Sequence, residues 1–212
     1  MINSKRGETQ PALPFAHPDL AFLIALTEAT TDPILEVYRQ DFAVDLKSGQ
    51  EPVTEADRRA NDLIVRLVHE RYPDDALLTE EAGFDAGHDG HAHRVWFVDP
   101  IDGTKEFIRK NGEFAVQIAL VCDRRLELGA IFRPTTGDLY VAARGKGCHV
   151  RRRENGNDTS WQRLKCVPSH AGSLIVAMSR SHPSSLAQRA GERVGLTGEF
   201  RHGSVGLKLM AM

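Results

Sequence analysis

Trp96-Phe97-Val98-Asp99-Pro100-Ile101-Asp102-Gly103-Thr104-Lys105-Glu106-Phe107 joins an apolar run to an acidic turn. Val95 to Val98 reads as a buried strand that delivers two carboxylates and a hydroxyl into a turn punctuated by Pro100 and Gly103. Asp99 and Asp102 can converge on one point at the mouth of that strand, with the carbonyl of Ile101 between them. Such an all-oxygen donor set suits a hard cation of the Mg²⁺ type. The alternative reading of the same residues is an ordinary solvated acidic turn.

The chain has 212 residues, enough to bury a core as one large domain or two small ones. Its 41% apolar and 26% charged content is ordinary for a soluble globular protein. A formal charge of -2 excludes the basic excess that a nucleic-acid polymer would require. Arg151-Arg152-Arg153, beside Glu154, Asn155 and Gly156, reads as a solvated hairpin tip. Three cysteines with no Cys-x-x-Cys spacing indicate neither a disulfide framework nor a zinc ribbon, which leaves a reducing, cytoplasmic setting as the default. Residues 1–17 read as a flexible polar tail, and no run of eighteen apolar residues suggests an integral membrane segment.

From Asp19 the apolar spacing is helical, with Asp32-Pro33 starting a second segment or kinking the first. Thr54-Glu55-Ala56-Asp57 has the form of a helix cap, and behind it Ala60, Leu63, Ile64, Leu67 and Val68 make an amphipathic stripe. Ala76-Leu77-Leu78 reads as a strand emptying into Glu80 and Glu81, and Phe84 to His93 as a mobile loop. His88, His91 and His93 lack the partners that would complete a tetrahedral metal site. Phe114 to Val121, Leu126 to Phe132 and Leu139 to Ala143 predict an antiparallel sheet. Gly145 to Cys148 reads as a turn without a phosphate role, Ser173 to Met178 as a further strand, and Ser184 to Val194 as a helix. The apolar run after Gly203-Ser204 begins another helix and reads as an element cut in the middle at Met212.

Asp57, then Glu80-Glu81, then Asp99-Pro-Ile-Asp-Gly-Thr104, in that order, resembles the Mg²⁺-dependent, lithium-sensitive superfamily of inositol monophosphatases and fructose bisphosphatases. Asp-Gly-Thr-Lys-Glu-Phe107, Gly112-Glu-Phe114, Ser179-Arg-Ser-His182 and Gly203-Ser-Val-Gly-Leu-Lys208 look like its 3'(2'),5'-bisphosphate nucleotidase branch, the CysQ-type enzymes. The resemblance implies an α/β (α+β) fold, a single layered αβαβα domain over residues 18–212, and two or three Mg²⁺ ions. Glu80, Asp99, Asp102 and the carbonyl of Ile101 would hold metal, with Glu81 behind them. Thr104, hydrogen-bonded to Asp57, would orient a metal-activated water for in-line attack on a phosphate clamped between the ions. Gly103, Thr104, Ser179, His182, Gly203, Ser204 and Lys208 would meet the substrate, Lys208 supplying charge for a second phosphate.

The activity so implied is removal of the 3'-phosphate from adenosine 3',5'-bisphosphate, with an inositol-phosphate phosphatase of the same fold as the alternative. The partner would be a small phosphorylated nucleotide or a sugar or inositol phosphate. A monomer or a homodimer is compatible with the family, as is peripheral association with the inner membrane face. One departure qualifies this reading. The family continues past Met212 to a Trp-Asp-x-Ala-Ala-Gly motif whose Asp is a metal ligand, and no copy of that motif occurs here. The domain is therefore expected to be C-terminally truncated, and an inactive remnant that binds metal or nucleotide is the rival outcome.

Overall fold

The structure is a computed structural model that describes residues 12–47, 52–87, 93–166, 175–182, 184–195 and 197–211. Six helices are described: α1 (Leu20–Ala29), α2 (Thr31–Tyr38), α3 (Glu55–Arg71), α4 (Thr104–Ile108), α5 (Ser185–Val194) and α6 (Val205–Met210). The strands are β1 (Val44–Leu46), β2 (Pro52–Thr54), β3 (Ala76–Thr79), β4 (Gly83–Asp85), β5 (Arg94–Asp102), β6 (Ala115–Cys122) and β7 (Arg125–Arg133). They continue with β8 (Asp138–Ala143), β9 (Gly147–Arg151), β10 (Arg153–Glu154), β11 (Asn157–Asp158), β12 (Gln162–Leu164), β13 (Ile175–Ser179) and β14 (Gly198–His202). The fold is mixed α/β around one eight-stranded mixed sheet in the order β12-β9-β8-β7-β6-β5-β3-β4. Helices α1 and α3 pack on one face of it, while α6 touches both β6 and β7 of the sheet and the separate parallel pair β13-β14.

Helix α3 forms where its apolar stripe predicts. Ala56, Ala60, Ile64 and Val68 are buried, and a capping box at Thr54 and Asp57 satisfies the first free amides. The core lies between these helices and the inward positions of the central strands, where Trp96 and Val98 of β5 meet Val116, Ile118 and Leu120 of β6. Alternation fixes that register, because a slip of one residue would exchange the buried and open faces.

Three sequence readings change. The strand does not end at Val98: β5 continues to Asp102, and Pro100 lies inside a bulge where Asp99 pairs with Gln117 and Asp102 with Ala115. Proline is tolerated there because a bulge frees one residue from the ladder. Part of the segment read as a mobile loop pairs as β4 against β3, while residues 88–92, and with them His88 and His91, lie outside the described residues. Arg151 is no solvated tip. It is 3% exposed, forms ion pairs with Glu28 of α1 and with Asp158, and lies against the ring of Trp161.

Candidate active site

The parallel pairing of β3 with β5 builds the site. Thr79 lies opposite Val98, and the Glu80 amide donates to the Val98 carbonyl at 3.1 Å, so both strands leave the sheet at the same end and Glu80 meets Asp99. Ligand sites of α/β sheets characteristically form outside such carboxyl ends. The bulge then re-aims Asp102 towards the same region, and Gly103, with φ of 105°, starts α4 in a left-handed conformation. A side chain there would meet the Glu113 carbonyl at 3.0 Å.

Asp57 arrives from the N-terminus of α3 and serves two purposes. Its Oδ2 accepts the Thr54 amide at 2.8 Å and the Thr54 hydroxyl at 2.6 Å, closing the cap, while its Oδ1 accepts from the Thr104 hydroxyl at 3.3 Å. The same hydroxyl lies 3.2 Å from the Ile101 carbonyl oxygen. Burial raises the Asp57 pKa, and the Thr54 bonds only partly offset this.

The carboxylates have unequal partners. Asp102 Oδ2 accepts from the Ser204 hydroxyl at 2.5 Å, from the Gly206 amide at 2.8 Å and from Gln117. Glu80 and Glu81 share the Lys47 ammonium at 2.8 and 2.7 Å. Among the described residues Asp99 has no such cation, and its Oδ1 is enclosed without a hydrogen-bond partner. Burial, the Glu80 charge and the Asp102 charge push its pKa up to about 8. Among the described residues no three His, Cys, Asp or Glu side chains are drawn together closely enough to hold a metal as they stand. The donor chemistry nevertheless fits a divalent cation. An enclosed carboxylate oxygen without a partner, beside a second carboxylate and the Ile101 backbone carbonyl, is the environment that a hard cation relieves.

That shift has a measurable consequence for the metal-free chain. A carboxyl whose pKa rises from about 3.9 on unfolding to about 8 when folded stabilises the fold while protonated, and this stability is lost progressively as pH climbs towards 8. His149 and His202 lie below their ordinary range through burial and work in the opposite sense around pH 6, so the clean interval is pH 7 to 8. Thermal melts in chelator are expected to show Tm falling by a few degrees over that interval, and excess Mg²⁺ to remove the fall. A flat or rising Tm in chelator would contradict it.

A cavity of about 440 Å³ opens beside these carboxylates. It is lined by Glu80, Asp99, Ile101, Asp102, Gly103 and Thr104 and also by Lys105, Ser179, Ser181, His182, Gly203 and Lys208. Of the residues expected to meet a substrate, Ser204 is the exception. It is fully buried, its hydroxyl donates to Asp102 and accepts the Leu207 amide at the start of α6, and it does not reach the cavity. Lys47, Gln117 and Lys105 join the site without being among the residues expected to hold metal or meet the substrate. Lys105 stands in the quoted stretch beside Thr104, a proximity that could have flagged it, whereas Lys47 and Gln117 carry no local signal.

These features define a class: layered α/β proteins that gather carboxylates at the ends of parallel strands beside a cation-lined cavity. Within it, the pattern of the inositol monophosphatase family matches residues 16–212, and the chain belongs to that family. It is 40% identical over 166 residues to a histidinol-phosphatase of Chlorobaculum parvum, covering 78% of this chain and 60% of that protein. It is 34% identical over 186 residues to the 3'(2'),5'-bisphosphate nucleotidase CysQ of Escherichia coli, covering 84% of this chain and 69% of that protein. The solved structure of CysQ from Bacteroides thetaiotaomicron superposes with a TM-score of 0.68 at 28% identity, over 89% of this chain and 73% of that one. The chain thus spans roughly two thirds of the length of its curated relatives.

Proposed function

We propose that the chain acts as a phosphomonoesterase supported by Mg²⁺, and that its substrate carries a second anionic group, as adenosine 3',5'-bisphosphate does. The observation that carries this reading is that one cavity is lined both by Glu80, Asp99 and Asp102 and by Lys105, His182 and Lys208. Bound Mg²⁺ held by Glu80, Asp99, Asp102 and the Ile101 carbonyl would neutralise the scissile phosphate and acidify water. Without that charge the carboxylates would repel the ester. Thr104, whose hydroxyl lies between Asp57 and the Ile101 carbonyl, would accept a hydrogen bond from the attacking water, and the buried Asp57 keeps that hydroxyl oriented. Lys105 and Lys208 offer ammonium donors to a second phosphate.

Histidinol phosphate is the second reading, favoured by the 40% identity to a protein of that name. Its own ammonium group would be repelled by Lys105 and Lys208, which is why the bisphosphate is preferred here. Phosphate release with Mg²⁺ from adenosine 3',5'-bisphosphate, histidinol phosphate and inositol 1-phosphate tests the order. The nucleotide is expected to show a kcat/KM at least about tenfold higher, equivalent to roughly 1.4 kcal/mol of discrimination. Faster release from histidinol phosphate would overturn the substrate, and no release by a folded chain would overturn the activity.

A further inference from the structure

Glu106 has no part in the chemistry above, yet it is a carboxylate only 1% exposed among the residues that line the cavity. Its Oε1 accepts from the Ser181 hydroxyl and from Arg109 Nη1 at 3.4 Å, and its Oε2 accepts from Asn111 Nδ2 at 2.5 Å. Arg109 also donates to the Ser181 hydroxyl at 2.6 Å, which closes a small ring of bonds around the turn that follows β13. Gly203 presses on the same carboxylate from the end of β14: a methyl group on it would lie 2.0 Å from Glu106 Cγ. Glu113 forms a second grip. It receives Arg180 in a two-pronged pair at 2.6 and 2.6 Å and the Gly203 amide at 3.0 Å.

These contacts matter because the pair β13-β14 shares no ladder with the eight-stranded sheet among the described residues. The turn at 179–182 is therefore located by side chains. Ser181 is tied to Glu106, and the next residue, His182, has its Nε2 2.7 Å from the Nζ of Lys105, the neighbour of Glu106. An ammonium group only donates, so Nε2 of His182 accepts and the ring proton sits on Nδ1.

We infer that Glu106 is a positioning residue: by anchoring Ser181 it holds His182 against Lys105, so that the two present one fixed pair of groups to the anionic part of the substrate. The word substrate here rests on the function proposed above, but the geometry does not. The consequence of losing the anchor is a loosened recognition wall with an intact carboxylate site, because Glu106 bonds to none of Glu80, Asp99 or Asp102.

The test compares the wild type with Glu106→Ala, Glu106→Gln and Ser181→Ala. Nitrogen NMR of the His182 ring in the metal-free protein is expected to show protonation on Nδ1 in the wild type. Glu106→Ala should lose that signature, while Glu106→Gln, which keeps an acceptor for Ser181, should retain most of it. In turnover, Glu106→Ala should raise KM for adenosine 3',5'-bisphosphate roughly tenfold with kcat within about twofold, and leave Mg²⁺ affinity unchanged. Ser181→Ala opens the same latch from its exposed side and decides the matter if Glu106→Ala does not fold. Unchanged His182 nitrogen shifts in both alanine variants would overturn the inference, as would a fall in kcat at constant KM. The ring signature needs no turnover, so a wild type inactive on every ester would sink the proposed function while the NMR comparison still decides the role of Glu106.

Discussion

Asp99→Asn is expected to lower Mg²⁺-supported phosphate release at least about 100-fold and, in the same protein, to raise the melting temperature of the metal-free chain. The two effects have one cause. Asp99 is the carboxylate whose Oδ1 is enclosed without a partner, and whose proton is held up to about pH 8 by burial and by Glu80 and Asp102. Asparagine has nearly the same shape and no charge, so it relieves the repulsion and removes a metal donor together. Stabilisation of about 1 kcal/mol would appear as a rise of roughly 2–4 °C for a chain of this size. Asp102→Asn supplies the contrast. Its Oδ2 accepts from Ser204, Gly206 and Gln117, so neutralising it weakens charge-assisted bonds that hold α6, and both activity and Tm should fall. Phosphate release and melts in chelator read all four quantities. An Asp99→Asn protein that keeps activity within a few-fold of wild type would remove Asp99 from the metal-binding set, whatever its stability.

What the sequence makes legible follows the range of the interactions. Helix α3 and its Thr54–Asp57 cap are readable because every bond in the cap lies within four residues. The acids of β3 and β5 are readable as strand ends, and so is their nearness, but the parallel pairing that joins them is not. Alternation shows which side chains share a face and says nothing about a neighbour's direction. Pro100 reads as a stop because proline breaks a ladder, and only the paired β6 shows that a bulge absorbs it. The burial of Arg151 and of Ser204 escapes a reading of the sequence for a common reason. A polar side chain is buried only when its partners come with it, and those partners are Glu28, 123 residues away, and Asp102, 102 residues away. The same holds for Lys47, whose role beside Glu80 and Glu81 depends on where the β1 strand ends.

At the opposite end of β5, Asp75→Ala is expected to be the most destabilising single change considered, by about 3–5 kcal/mol. Asp75 is 6% exposed; its two oxygens share the single Arg94 Nε–H at 3.0 Å, and Oδ2 also accepts the Trp96 indole N–H at 2.7 Å. Arg94 also reaches Asp19 at 3.2 Å, and Tyr72, its hydroxyl on Asp19 at 2.6 Å, lies under the guanidinium and stacks on Trp96. Among the described residues, removing Asp75 leaves Arg94 with only Asp19 as a carboxylate partner and strips the buried indole of its acceptor, two penalties at once. For a chain of this length the loss corresponds to a fall in Tm on the order of 10 °C. Asp75→Asn should cost less, because the amide oxygen can still accept from Trp96 while the charge on Arg94 goes partly unanswered. Five residues of strand separate Arg94 from Asp99, roughly 17 Å, so Mg²⁺ affinity measured well below the melting temperature should not change. A fall in Tm that came with an equal loss of metal affinity would mean that the two ends of β5 are coupled. Tm unchanged in Asp75→Ala would mean instead that water replaces the carboxylate, and that the N-terminal helices are held to the sheet by apolar contact alone.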